Sequence, residues 1–584
     1  MQVGDADLVV VGAGAGGMTA ALVAALEGLR VILCEASDQV GGTTSTSAGT
    51  LWVPGNPHGA RAGHVDSAEA ATRYLDALIG PEDERGLRRA FLDTVPQALD
   101  YLEQRSAAVR FASAGKHPDY LPFPDAAVSG RAVSPLSFDG RLLGSNFVRI
   151  RPPIAEFMLL GGMMVGKSDI QALVGRWGSW PHFLQSARLV LRYAADRLRY
   201  PRGTRLVMGN ALVARLFQSL CVAGVDVRFN WRLQGLETSE GRVVHANFET
   251  PDGDRRLSAE RGVVLATGGV GHGRLRGELT SGGERIFSLA CGTVRAEGIE
   301  AARSAGAQLE QHSKGNFFWQ PVSIVPHPGA SSGLFPHLFL DRAKPGLIAV
   351  DPSGRRFVNE AASYHHFVEG MLRSVGVPPG GKAWLVCDAE FVRRFGLGVI
   401  PPGTRSLRRW VSTGYVTCAP TLEALAGRLG IDADAFAATI ARHNDYAASG
   451  SDLEYAKGST ELNRFNGDPG QRPNPCLGRI GTAPFCALEI HAADAASSAG
   501  LATDKNGVVL DARRKPIPGL YACGNDAASI MRGTYPGPGT TLGPAMVFGY
   551  RIGRHASASA NAMGGTQRQL TTHLQACADR STVL

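Results

Sequence analysis

Tyr535 sits in the stretch of the chain best equipped to hold negative charge. Gly519 to Tyr550 reads GLYACGNDAASIMRGTYPGPGTTLGPAMVFGY. It opens as a short apolar strand, Leu520 to Gly524, and passes into a loop that carries Tyr535 among prolines and glycines. A helix is predicted from near Thr540 through Ala545, Met546, Val547 and Phe548. Gly537 and Gly539 place no side chain over their backbone N–H groups. The N-terminus of the following helix aims further free N–H groups and its dipole the same way. A phenol, bare amides and a helix dipole together suit a carbonyl oxygen, or an electron-rich ring, that gains negative charge. The same residues also read as a Gly/Pro turn ahead of an ordinary helix, so the rest of the chain must decide.

The elements that would position this stretch begin at the N-terminus. Leu8 to Val11 is an apolar run of buried-strand type, followed by GAGAGG (Gly12 to Gly17) and an Ala-rich helix, Met18 to Glu27. Gly12 allows the tight turn, Gly14 lets a pyrophosphate approach, and Gly17 lets helix and strand pack closely; Ala15 and Gly16 lie on the same turn. A second strand, Val31 to Cys34, ends in Glu35, where a ribose hydroxyl needs an acceptor. A lone GxGxxG is weak; this one has its full strand–helix–strand–acid context. The double glycine and hydroxyls that follow, Gly41, Gly42, Thr43, Thr44 and Ser45, are typical of FAD sites, as is the later strand and turn GVVLATGG with Ala266, Thr267 and Gly268. The expected FAD contacts end at Gly524, Asn525, Thr541 and Leu542. GHGRLRG, from Gly271, follows a glycine turn rather than a strand and is no second fingerprint. An enzyme that reduced its flavin with NAD(P)H would usually need a second dinucleotide site; the expected partner is an external electron acceptor, a quinone among the candidates.

Composition describes a globular protein long enough for two domains: 584 residues, 44% hydrophobic and 19% charged. The net charge of +8 is spread as scattered arginines near acids, not as the dense patch of a nucleic-acid binder. The 9 cysteines include no CxxC pair, which argues against a zinc knuckle or a redox dithiol and suits a reducing cytoplasm. No metal site is expected. No apolar run reaches transmembrane length, and a first strand at Leu8 leaves no room for a signal peptide.

Between these landmarks, Ser67 to Arg105 is predicted helical, Ile154 to Arg199 is predicted as two apolar helices, and Val225 to Glu249 as strands returning to ATGG. From about residue 284 aromatic-rich strands begin, followed by a loop with Asn359, Glu360, Tyr364, His365 and His366. The expected organisation is α/β: a Rossmann-like FAD-binding domain over 1–283 and 481–562, an α+β substrate domain inserted over 284–480, and a mobile tail over 563–584.

These motifs, GAGAGG with Glu35, GGTTSTSAGTLWVPGN, ATGG, RRFVNEAASYHHF, and GLYACGNDAASIM with TYPGPGTTLGPAMVFGY, make the chain resemble the 3-ketosteroid Δ1-dehydrogenases of the fumarate-reductase-like flavoproteins. The likeness covers almost the whole length; its last two motifs are the specific ones. It implies non-covalent FAD and desaturation of a steroid A-ring between C1 and C2, with a proton leaving C2 and a hydride leaving C1 for the flavin. It implies Tyr535 and the Gly539 amide as the carbonyl clamp, Tyr364 as the base, and Tyr120 as a third active-site tyrosine. Val547 and Arg532 stand where the family often has threonine and glycine. Three rivals stay open: Δ4-dehydrogenation by much the same tyrosines, reduction of a dicarboxylate through arginines and histidines (His272, His312, His365 and His366 are available), and a non-enzymatic electron carrier.

Overall fold

The computed structural model describes residues 5–175, 178–280, 286–327, 332–339, 341–375 and 381–558. The expected tail over 563–584 lies outside them. The first sheet is the dinucleotide-binding one. Ala6–Val11 pairs in parallel with Val31–Glu35 on one side and Arg255–Leu265 on the other. Asp226–Phe229 and Pro516–Ala522 extend it in parallel at its two sides. Buried on both faces, these strands are continuous apolar runs rather than alternating ones, as a parallel sheet requires. Arg255–Leu265 is long enough to also close an antiparallel meander with Arg232–Ser239 and Arg242–Glu249.

The second sheet is mostly antiparallel and runs Gly333–Pro336, Phe317–Val325, Phe485–Ser497, Ala383–Asp388, Leu347–Val350. The expected return to the first domain near residue 481 falls ahead of its central strand. Phe485–Ser497 pairs with Phe317–Val325 on one side and Ala383–Asp388 on the other, and the chain rejoins the first sheet only with Val508–Leu510 and Pro516–Ala522. The small residues of HAADAAS say nothing about which sheet they join; pairing decides it. The stretch from Ile154 also differs from expectation. It opens with a hairpin, Met158–Leu159 on Met163–Met164, before its two helices, Lys167–Val174 and Trp180–Arg197.

Tyr364, expected in a loop, is the first residue of the helix Tyr364–Val375. The loop stops at Ser363, whose hydroxyl accepts the His366 N–H at 3.3 Å and so caps the helix. A buried charge network fixes that loop. Arg356 bonds Glu360 at 2.9 Å and Asp452 at 2.8 Å, and the Lys457 ammonium lies 3.3 Å from Glu360. Burial works to raise the Glu360 and Asp452 carboxyls, but Arg356 outweighs it and holds both below the ordinary carboxylate range. Because the folded values are depressed, this stability is present above the unfolded carboxylate range and is lost as pH falls below it. Glu360→Ala leaves buried cations uncompensated and is expected to cost about 3–5 kcal/mol in chemical denaturation, a penalty an exposed pair would not show.

Candidate active site

Three tyrosines from distant parts of the chain meet in one place. The Tyr120 hydroxyl lies 3.3 Å from the Tyr364 hydroxyl. Their ring centroids are 5.6 Å apart, and Tyr535 stands 5.6 Å from Tyr120 and 5.1 Å from Tyr364. Phe318 and Phe339 close the cluster edge-on.

Backbone hydrogen bonds hold the three segments together. The Tyr120 N–H and the Tyr74 hydroxyl both donate to the Pro536 carbonyl at 2.8 Å. The Trp52 N–H donates to the Gly539 carbonyl at 3.1 Å, and the Trp52 indole N–H to Asp119 at 2.8 Å. Asp119 in turn is paired with the buried Arg131 at 2.6 Å. The loop carrying Tyr120 and the loop carrying Tyr535 are therefore one unit. Gly539 has φ +89°, and a Cβ there would lie 2.3 Å from the Thr50 carbonyl oxygen, so only glycine can present its N–H at this point. Among the described residues, the N–H groups of Gly539, Thr541 and Leu542 donate to no protein acceptor. They sit at the start of the helix over 542–558. Bare amides at a helix N-terminus are what an anionic ring edge or oxyanion needs.

A single cavity of about 330 Å³ runs from the glycine turn to the tyrosines. Every residue expected to touch cofactor or substrate lines it except Gly17, Gly41 and Ser45, which stand behind the wall. Gly17 packs helix on strand: a Cβ there would meet the Gly12 carbonyl oxygen at 2.0 Å. Glu35 is buried, accepts the Ala13 N–H at 3.0 Å and the Ser37 hydroxyl at 2.9 Å, and keeps lone pairs toward the cavity. Burial, the largest influence on it, raises its pKa. Thr267 is oriented by Asp526, which accepts its hydroxyl and the Gly269 N–H; burial pushes Asp526 up to about 6. The acid-tipped strand, the glycine turn and the bare amides fit FAD.

Sequence reasoning misses the wall beside Glu35, where Trp231, Arg232 and Glu297 line the cavity, and misses His117 and Gln320 near the tyrosines. They come from loops, strands and a helix start that carry no motif. None of the four histidines left open lines the cavity. His365 is nearest: its Nδ1 accepts the Trp319 N–H at 3.1 Å, and its ring lies 5.9 Å from Tyr535. Val547 is buried off the wall, and Arg532 has φ +48°, a left-handed conformation that glycine adopts more readily.

Residues 7–542 match the FAD binding domain family. A 3-oxosteroid 1-dehydrogenase of Mycolicibacterium smegmatis is 35% identical, over 95% of this chain and 98% of its own. The solved 3-ketosteroid Δ1-dehydrogenase of Sterolibacterium denitrificans, in complex with 1,4-androstadiene-3,17-dione, superposes with a TM-score of 0.87 at 34% identity, covering 95% of this chain and 99% of that one. The chain belongs to the 3-ketosteroid Δ1-dehydrogenase family. It is an FAD-dependent dehydrogenase, and the expected α/β fold and cofactor stand. The similarity extends to the 4-oxocyclohex-2-ene-1-carboxylate 5-dehydrogenase of Sinomonas cyclohexanicum, 36% identical over 95% of this chain and 94% of its own. Among the described residues, no helix is long and apolar enough to cross a membrane, and no cluster of side chains could hold a metal ion.

Proposed function

We propose that the enzyme desaturates the A-ring of a 3-ketosteroid between C1 and C2. The observation that carries this is the wall of the cavity around the three tyrosines. Among the described residues, it is formed by Ile154, Phe157, Phe318, Leu338 and Phe339, with His117 and Gln320 the polar side chains beside the tyrosines. A ring ketone bearing a carboxylate, or a dicarboxylate, would need a buried cation there. A neutral, flat, apolar ketone needs none. Anaerobic mixing of the FAD-loaded enzyme with a 3-ketosteroid should bleach the flavin, and 4-oxocyclohexenecarboxylate should not; the reverse result would overturn the steroid reading.

Tyr535 and the Gly539 N–H donate to the C3 carbonyl oxygen, which gains charge as the C2 proton leaves. Tyr364 takes that proton. FAD, when bound, would supply the acceptor for the C1 hydride. An external acceptor, a quinone among the candidates, then removes the electrons.

Acidity is the difficulty for a phenol base. Burial raises Tyr120, Tyr364 and Tyr535 above the ordinary 10. Two features oppose burial at the base. The Tyr535 hydroxyl hydrogen-bonds Tyr364 and favours its phenolate, whereas Tyr120 adds to the rise. Arg342 is the second. It is fully buried and donates to the Glu360 carbonyl at 2.7 Å and the Ala362 carbonyl at 3.2 Å, just ahead of Tyr364. It also donates to the His337 carbonyl at 3.0 Å and packs over Phe339. Its own pKa is pushed down by burial to about 10, and its charge works to lower Tyr120 and Tyr364. Of the neighbouring acids, Glu360 is paired with Arg356, and Asp341 with His337 at 2.6 Å. The base pKa is raised, so the phenolate fraction grows with pH. Initial rates should rise toward alkaline pH, about tenfold per unit below that pKa. Arg342→Met should move the whole limb to higher pH and Arg342→Lys should restore part of it. An unshifted limb in Arg342→Met removes Arg342 from this role.

A further inference from the structure

Gln320 is a polar residue set in an apolar wall. It belongs to the strand Phe317–Val325, whose side chains alternate between two faces. Phe318 and Gln320 share the face that lines the cavity, and Trp319 between them does not. Gln320 is only 8% exposed, so the fold has stripped it of most of its water. Among the described residues, its amide donates to no protein acceptor and accepts from no protein donor. Neither amide atom is sealed inside protein. A buried amide without a partner carries a desolvation penalty, which an oxygen brought in by a ligand would relieve.

The strand fixes where along the cavity this happens. Phe318 packs edge-on against Tyr535 with ring centroids 5.3 Å apart, which marks the end where the ring ketone is clamped. Gln320 stands two residues further on, ~7 Å along the strand. Beyond it Val322 pairs with Pro336 and Ser323 with Phe335, and Phe335 packs against Phe157 at 5.4 Å. Pro336 and Phe157 both line the cavity. Gln320 therefore lies between the carbonyl clamp and a further apolar wall, beside the rings of a substrate that do not react.

We propose that Gln320 forms a polar subsite for a second oxygen of the substrate, carried on the C- or D-ring of a 3-ketosteroid. An amide offers both donor hydrogens and an acceptor oxygen, so it can pair with a neutral hydroxyl or a ketone, and it brings no charge to an anion. The subsite rests on the steroid reading, because it needs a fused-ring ketone that reaches from Tyr535 to Gln320. It adds a preference among such ketones: those with an oxygen beyond the A-ring over those oxygenated at C3 alone.

Product binding tests this without turnover. The FAD-loaded enzyme and its Gln320→Leu variant would be titrated with three 1,4-dien-3-one steroids, read by the perturbation of flavin absorbance. One carries oxygen at C3 alone, one adds an 11-hydroxyl, and one adds a 17-ketone. The wild type should bind at least one of the doubly oxygenated steroids about tenfold more tightly than the first. Gln320→Leu should bring that preference to within about twofold, weakening the oxygenated ligand while binding the C3-only steroid at least as tightly as the wild type does. Wild type that binds all three alike overturns the subsite, and so does a Gln320→Leu enzyme that keeps the wild-type preference. An enzyme that binds none of the three, and whose flavin is bleached only by a carboxylated cyclohexenone, overturns the steroid reading and the subsite with it.

Discussion

Replacing Tyr364 by phenylalanine is expected to abolish exchange of the substrate's C2 hydrogen with heavy water while product still binds. The change removes one oxygen. The ring keeps its packing, 5.1 Å from Tyr535 and 5.8 Å from Phe339, so the pocket that recognises product survives. What is lost is the only atom of Tyr364 that can carry a proton. A positioned general base contributes typically 10²–10⁴-fold, and flavin reduction should fall by roughly that factor together with exchange. Tyr120→Phe should disturb the same step less severely, because Tyr120 contacts the base at 3.3 Å rather than serving as the base. Near-normal exchange in Tyr364→Phe would move the base to another residue.

Tyr535→Phe should lower turnover by on the order of 10²–10³, with substrate binding little changed. The carbonyl oxygen of the bound ketone is nearly neutral and can do with the Gly539 N–H alone. The enolate-like oxygen of the transition state needs both donors, so the missing hydroxyl shows in kcat rather than in KM. The fold should tolerate the change, because the Tyr535 ring keeps its packing on Tyr120 and Phe318, and the hydroxyl contributes only its hydrogen bond with Tyr364. Unchanged turnover would take Tyr535 out of the clamp.

The parts of this architecture that are legible in the sequence are those where backbone geometry demands particular residues. The glycine turn reads clearly because only Gly12 and Gly17 allow strand, helix and cofactor to approach, and Gly539 because its φ and the Thr50 carbonyl exclude a side chain. Glu35 is legible because it ends a strand at a fixed distance from that turn. The convergence of Tyr120, Tyr364 and Tyr535 is not legible from spacing, since 244 residues separate the first two; it was accessible only through resemblance. Arg342 gives no signal at all. It looks like any other arginine until the backbone carbonyls of Glu360 and Ala362 are brought to it. The apolar helices expected from Ile154 to Arg199 have no legible placement for the same reason: periodicity shows that a helix has an apolar face, not what the face meets.

The regiochemistry of the product tests the central claim most directly. The FAD-loaded enzyme would be given a 3-ketosteroid with a fully saturated A-ring under anaerobic conditions, and the position of the new double bond determined by NMR. With the C3 oxygen held by Tyr535 and Gly539 and the proton taken by Tyr364, the account predicts a double bond between C1 and C2. A double bond between C4 and C5, or a bleached flavin only with a carboxylated cyclohexenone, would contradict it.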